Sequence, residues 1–535
     1  MHNGYLLFVL NAHLPFVRHP SYDRFIEENW LYGAISETYL PLLRAFNRLD
    51  RDNVQFCVTI SISPTLASML SDELLQERYL KYLEKRIELG KKEIERTSFD
   101  PGFNKLAKMY HASNLQNRID FTDLYKLNIL KGFRELEKKG RLRIITSAAT
   151  HAYLPFYSDY SYALEAQVQT AVISHSRIFG KEPSGFWLPE LGYSPGIEKT
   201  LKANNIKYFF TAGYSFLFAK EFPKYGIYAP VSCPSSGSST GINAFCRDIL
   251  TSNSVWSYDD GYPGNHAYRE YYRDIGFEMT DEYLENIIYN NRIRVNTGFK
   301  YYANTGKLKE EKKPYDIDEA QQKVNDHAEN FIYRMQKQVK KLLKQMDRPP
   351  VFVCLYDAQI FGHWWYEGIP WLEKVLRLSS AESRLSNICA DEYLEKWPEN
   401  QKSDLSFASW GNNGYARLWC NGSNDWVYKH VHIVIEKMAE LVKRFPDEKG
   451  LKERALNQAA REVLLSQSSD WPFIMQTGIA KPYAEKRVKE HIHNFLVIYD
   501  NLCRNTVDTE WLTGIEKENN LFPDIDYRIF MDSSS

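Results

Sequence analysis

The chain has no run of apolar residues near the ~20 that a membrane-spanning helix needs. It also has little cysteine: seven residues, at 57, 233, 246, 354, 389, 420 and 503, with no CxxC pair. Their odd count and scatter fit buried thiols in a reducing compartment better than a disulfide framework or a zinc site. Metal-ligand spacing is missing as well. There is no HExxH, and the one HxH, His491-Ile-His493, falls in a C-terminal helical pattern. Charge is nearly balanced, with a formal net charge of -1 and no basic stripe, which excludes nucleic acid as a partner. The N-terminal MHNGYLLFVLNAHLP is apolar only from Tyr5 to Leu10 and lacks a basic n-region and a small-residue cleavage site. It does not read as a secretory signal, and a soluble cytoplasmic protein is expected. No repeat or heptad array stands out.

What is abundant is aromatic: 36 Tyr and 12 Trp in 535 residues. Such rings serve a large core, and they also serve as platforms for the C–H faces of sugars. Short apolar runs at Tyr5–Leu10, Val54–Ile62, Leu142–Ser147, Gly185–Leu188, Lys207–Thr211 and Val351–Tyr356 read as strands. Helical patterns lie between them, at Asp72–Arg96, Thr122–Lys139, Ser161–Phe179 and Ile317–Met346. Fully apolar strands alternating with helices indicate a parallel sheet, and the length favours a closed barrel. Residues 1–400 are read as this barrel, with a helical insertion near 72–140. A loop-rich subdomain near 192–300 contains the Ser/Gly run Pro234–Gly241. Residues 401–535 lose the strand pattern. Val427, Val431, Val434, Met438, Leu441 and Phe445 follow helical spacing.

Chemistry gathers where strands end. VFVCLYDAQIFGHWWYEG (351–368) runs apolar into Asp357 and opens into Phe361, His363, Trp364 and Trp365. GFWLPELGY (185–193) runs into Glu190, where Pro189 stops ladder pairing. An acid in an aromatic pocket is desolvated, and its pKa rises toward that of a general acid. Two strand-end carboxylates are the minimum equipment for cleaving a glycosidic bond. His13 and His151 end other strands and suit hydrogen bonds to sugar hydroxyls better than metal ligation. His363 by itself reads as a hydrogen-bonded core histidine. Gly261-Tyr262-Pro263-Gly264 is a turn with hinges on both sides. Taken alone it is an ordinary surface turn, although a tyrosine at such a tip can close over a substrate. Trp410 and Trp419, on a Gly-rich stretch, read as faces offered to a ligand.

NAHLPFVRHP, ENWLYGAISETYLPLL, ATHAYLP, GFWLPELGYSPG, GYPG with YREYYRDIGF, YDAQIFGHWWYEG, SWG and VLLSQSSDWPFIMQTG together resemble glycoside hydrolase family 57, and within it the 1,4-α-glucan branching enzymes. The resemblance spans nearly the whole chain. It implies an incomplete (β/α)₇ barrel, a small inserted subdomain and an all-helical C-terminal domain. It implies retention of configuration with no metal and no cofactor, Glu190 as nucleophile and Asp357 as acid/base. His13, Trp30, His151, Tyr262, Arg269, Phe277, His363, Trp410, Trp419, Gln467 and Asp470 fall on positions expected to contact substrate. The expected partner is an α-1,4-glucan, amylose or glycogen-like, as donor and acceptor, with no membrane involved and an oligomeric state the sequence leaves open. Three positions depart from the family pattern. Gln359 stands where Glu is usual, Phe277 where Trp is usual, and Asn412-Asn413 replace a more glycine- and acid-containing loop. An α-amylase or 4-α-glucanotransferase with the same pair remains an alternative, as does a glucan-binding protein that has lost catalysis. A metal-dependent deacetylase on a similar barrel is disfavoured by the missing ligand spacing.

Overall fold

The computed structural model describes residues 3–234, 241–289, 293–306, 308, 311–381 and 384–531. All but the two ends of the Ser/Gly run Pro234–Gly241 lie outside them. The strands are β1 (Gly4–Ala12), β2 (Val58–Ile62), β3 (Leu142–Ser147), β4 (Gly185–Trp187), β5 (Tyr208–Thr211), β6 (Val231–Cys233), β7 (Ile242–Cys246), β8 (Val351–Asp357) and β9 (Leu385–Asn387). They form one sheet in the order β6-β7-β5-β4-β3-β2-β1-β8, with β9 pairing β1. From β7 to β8 every pairing is parallel, and β6 runs antiparallel at the edge. No ladder joins β7 to β8 among the described residues. The Asp248 amide, just past β7, donates instead to the Val353 carbonyl of β8 at 3.0 Å. This is an incomplete (β/α)₇ barrel.

The apolar runs explain the strands. β1 and β2 are buried at every position: β1 runs apolar from Tyr5 to Leu10, whereas β2 (VTISI) alternates its apolar residues with the buried hydroxyls of Thr59 and Ser61. Barrel geometry then sends every parallel strand's C-terminal end to one face. Asn11, Ser61, Ser147, Trp187 and Asp357 are all within the last two residues of their strands. Helices Glu73–Arg96 and Pro101–Ile119 lie in the crossover between β2 and β3. The pattern at Thr122–Lys139 is interrupted, since regular helix starts only at Leu130. Helices Trp426–Arg444, Leu451–Ser466, Asp470–Thr477, Lys481–Arg504 and Thr509–Glu518 make the C-terminal region helical.

The cysteine reading needs one correction. Cys57 and Cys389 form a disulfide, with their Cα atoms 5.8 Å apart and 332 residues apart in sequence. The reason is topological. β9 lies beside the first residues of β1 and β2 beside its last, so the end of β9 meets the start of β2. Closing so long a loop restricts the unfolded chain. Cys57→Ser is expected to cost about 2–5 kcal/mol, read as a lower denaturation midpoint with a larger m-value, since the unfolded chain expands when the loop is opened.

Candidate active site

A cavity of about 690 Å³ opens at the C-terminal ends of the strands and is lined by Glu190 and Asp357. Glu190 sits where β4 gives way to a tight turn. Its backbone is left-handed (φ 58°), as is that of Leu191 (φ 49°) and of His151 (φ 55°). For residues with a Cβ this conformation costs roughly 1–3 kcal/mol and persists only when neighbours hold it. Here the Trp410 amide donates to the Glu190 carbonyl at 3.1 Å. The carboxylate is held as well. Trp410 Nε1 donates to Oε2 at 2.9 Å and Ser469 Oγ to Oε1 at 3.0 Å. Asp357 ends β8, and Asn11 Nδ2 of the neighbouring β1 donates to its Oδ1 at 3.0 Å.

Burial raises both carboxyl groups. Glu190 is pushed up to about 8, by desolvation first and by the Asp357 charge second. Asp357 is pushed up to about 6, again by desolvation, against the pull of the Asn11 bond, His13 and Arg247. The pair therefore holds one proton between roughly pH 6 and 8, and the two apparent values belong to the pair. Glu190, pushed higher than Asp357, is the group that holds this proton in the free protein, and the two donors aimed at it favour its carboxylate form, so the proton can pass to Asp357 when a glycosidic oxygen is there to accept it.

The histidines are fixed by what they touch. His13 and His151 stack with ring centroids 3.7 Å apart. His13 Nε2 lies 2.9 Å from Asp470 Oδ2 and its Nδ1 2.9 Å from Ser63 Oγ. A carboxylate only accepts, so His13 carries its proton on Nε2 toward Asp470. Both ring nitrogens are thus engaged within the protein. His13 lines the cavity with its ring. His151 Nδ1 lies 3.1 Å from Ser469 Oγ. Because Ser469 donates to Glu190, His151 donates to Ser469 from Nδ1. Its Nε2 lone pair is buried and without a partner among the described residues. Desolvation, with His13 second, holds the His151 pKa well below the ordinary value. A neutral acceptor beside the nucleophile suits a substrate hydroxyl.

Ser469 thus bridges Glu190 and His151 from the helical C-terminal region. Ser469→Ala is expected to lower kcat about 10–100-fold with little change in KM, since a hydrogen bond to a charged group is worth about 1.5–3 kcal/mol. Its second readout is the pH profile, whose limbs move upward when the carboxylate loses a donor.

The other expected contacts divide. Trp410, Asp470 and Arg269 line the cavity. Trp30, Tyr262, Phe277, His363, Trp419 and Gln467 are not among its lining residues. Tyr262 is turned against His327 (centroids 4.7 Å apart) and donates to Asn330 Oδ1 at 2.9 Å, because a buried phenol needs an acceptor. Its neighbour Pro263 reaches the cavity instead. Trp419 is a core residue, 1 % exposed and stacked on Tyr153 at 5.4 Å. Gln467 is buried and accepts from Gln167 Nε2 at 2.7 Å. Trp30 packs edge-on to Tyr483, and Phe277 is solvent-exposed. His363 Nδ1 meets Glu37 at 2.5 Å, which holds the GHWW loop against the helical segment beside it. Gly362 (φ 93°) is required there, since a Cβ would lie 1.9 Å from the Glu37 carbonyl oxygen.

Single-sequence reading missed Ser469 and most of a lip of rings. Trp364 stacks on Tyr271 at 4.4 Å, and Tyr272, Trp256 and Tyr258 extend the lip. It also missed Arg247, whose guanidinium lies 5.3 Å from the Trp410 ring centre and steadies it from behind. Asn11 and the YREYYRD tyrosines sit in segments already singled out. Ser469 carried no signal of its own.

Gln359 also lines the cavity. Its amide nitrogen lies 2.7 Å from the His13 carbonyl and 2.8 Å from Tyr39 Oη. The carbonyl accepts only, so the amide orientation is fixed and an ionised carboxylate in its place would lose that bond. Gln359→Glu is expected to raise the acid limb of activity by about 0.5–1 pH unit, because a third charge beside the pair favours protonation. A pH profile of kcat/KM checks this.

The sequence profile described as Glycosyl hydrolase family 57 matches residues 7–405, and that described as 1,4-alpha-glucan branching enzyme, C-terminal, matches 430–530. A 1,4-alpha-glucan branching enzyme of Thermococcus kodakarensis is 31% identical over 97% of this chain and 77% of its own. Among solved structures, an alpha-amylase of Thermotoga maritima is 41% identical with a TM-score of 0.92, covering 99% of both chains. A family 57-type branching enzyme of Pyrococcus horikoshii is 29% identical with a TM-score of 0.88, covering 99% of this chain and 97% of that one.

Proposed function

The chain belongs to glycosyl hydrolase family 57, and from that membership we propose that it is a 1,4-α-glucan branching enzyme. The observation that carries the chemistry is Glu190, locked by Trp410 and Ser469 on a left-handed turn and sharing a proton with Asp357 in one cavity. Protonated Asp357 donates to the leaving glucosidic oxygen of an α-1,4 linkage. Glu190 attacks the anomeric carbon and forms a glycosyl-enzyme. Asp357, now a base, takes the proton from the 6-hydroxyl of an acceptor chain, and an α-1,6 branch results. His151 Nε2 accepts from a hydroxyl of the bound sugar. The lip of Trp364, Tyr271 and Tyr272 holds the chain by its ring faces and narrows access for water.

The match of residues 430–530 to the branching-enzyme C-terminal profile favours transfer to a glucan. The 41% identity to an alpha-amylase favours a second reading, in which water is the acceptor. Incubation with amylose separates them. Branching gives new short chains after debranching and few new reducing ends, whereas hydrolysis gives reducing ends without α-1,6 linkages. If reducing ends predominate, the branching assignment fails. A cytoplasmic location completes the reading. Five cysteines are free, and the Cys57–Cys389 bond is enclosed, with the two residues 6% and 0% exposed, which shields it from reductants.

A further inference from the structure

A second cavity, of about 340 Å³, lies between helix Glu73–Arg96, the segment 23–32 and the segment 286–289. It shares no lining residue with the catalytic cavity. Its wall carries positive charge that the protein does not neutralise. Glu28, 1% exposed, is engaged by Arg78 at 2.6 Å and by the Tyr32 hydroxyl at 2.9 Å. The other lining acids, Asp23, Glu84 and Glu88, are exposed. Among the described residues, Arg24, Lys85 and Arg86 have no carboxylate at ion-pair distance.

Arg86 is 4% exposed and lies on the Tyr82 ring, 3.4 Å from its centre. One of its amino groups donates to the Asn296 carbonyl at 2.8 Å, and its buried Nε has no partner among the described residues. Arg24 lies 4.1 Å from the centre of the Tyr289 ring and donates to the Ile287 carbonyl at 2.9 Å. Burial lowers the Lys85 pKa, and Arg24 and Arg86 lower it further against the opposing charge of Glu88, so Lys85 lies within the field of both guanidinium groups. A guanidinium held flat on a ring keeps its N–H edge ready for an oxyanion. A neutral glucan would need the ring faces that Arg24 and Arg86 cover.

We propose that this cavity binds a phosphorylated hexose, its phosphate held by Arg24, Lys85 and Arg86 and its hydroxyls by Asn29, Asn286 and the rim carboxylates. The cavity suits one sugar and one phosphate, not a chain. Amide and carboxylate groups beside a cationic wall match a ligand with hydroxyls at one end and an anion at the other. The site stands apart from the catalytic pair and does not depend on what the acceptor is there.

Titration calorimetry on the full chain tests it with glucose 6-phosphate, inorganic phosphate, glucose and maltotriose as probes. Glucose 6-phosphate is expected to bind saturably, and phosphate roughly ten-fold more weakly. Lys85→Ala and Arg24→Ala, both on the cavity's outer side, are expected to weaken glucose 6-phosphate binding by roughly ten-fold or more while activity on amylose without the ligand is unchanged. Absence of saturable binding up to about 10 mM, a concentration far above any specific site of this kind, overturns the proposal. So does binding that both variants leave intact. Equal affinity for phosphate reduces the site to a bare anion site, and maltotriose binding lost in the variants makes it a glucan site. Either result also overturns it.

Discussion

Glu190→Ala is expected to lower turnover on amylose by at least roughly 10,000-fold, because removing a covalent nucleophile removes the step it divides. KM changes less, since the rings and His151 remain. The decisive readout is stereochemical. With an activated α-maltosyl fluoride and added azide, Glu190→Ala is expected to give the β-glycosyl azide, formed by one inversion through the space the carboxylate leaves. An α-azide, or full activity, would remove Glu190 from its role. Glu190→Gln tests the folded state as well. The group's pKa rises from 4.5 unfolded to about 8 in the protein. The native state therefore holds the proton more tightly, and its stability falls as pH rises from about 4.5 to about 8. Below that window the penalty is absent. Glutamine never bears it, so the variant is expected to melt about 1–3 °C higher than the wild type at pH 8–9 and at the same temperature near pH 4.

Strands and carboxylates were legible in the sequence for the same reason. β4 and β8 run apolar to their last residues, so an acid following such a run marks both the end of the strand and the barrel's working face. β6, β7 and β9 escaped because VSC, INAFC and LSN are broken by Ser or Asn and offer no apolar run. The Cys57–Cys389 bond escaped because nothing local says that β9 ends where β2 begins. The errors among aromatic residues share one cause. Trp419 and Trp410 flank the same Gly-rich stretch and look alike in sequence. Only packing decides that one stacks on Tyr153 in the core while the other reaches Glu190.

The helical C-terminal region changes meaning for a similar reason. As sequence it is an appended domain. In the structure its turn 468–470 completes the catalytic centre. Ser468 donates to Asp470 at 2.6 Å, Asp470 fixes the proton on His13, and Ser469 holds Glu190 and His151. The serine and the nucleophile are 279 residues apart in the chain. No spacing rule connects them, and a serine next to a helix start reads as an ordinary cap. Both side-chain donors to Glu190, Trp410 and Ser469, lie beyond residue 400, so residues 1–400 alone would present that carboxylate with neither of them.

Asp357→Asn carries the second large effect, expected at about 1,000–10,000-fold on amylose, the range for loss of a general acid. Asparagine keeps the size of the side chain, so the loss reports the proton. The wild type should show a bell-shaped kcat/KM. Below about pH 6 the pair takes a second proton and Glu190 is neutral, and above about pH 8 the pair loses its last proton and no acid remains. The variant has only Glu190 to ionise, so its alkaline limb should vanish while an acid limb persists. With α-maltosyl fluoride, whose leaving group needs no acid, the first step should run and the second should stall for want of a base. A covalent glycosyl adduct on Glu190, visible by mass spectrometry, is then expected to accumulate. Azide, which needs no base, should release it as the α-glycosyl azide, the product of two inversions. Failure to trap the adduct, together with an unchanged alkaline limb, would assign the proton to another group. Recovery by azide with retained configuration ties both carboxylates to one double displacement.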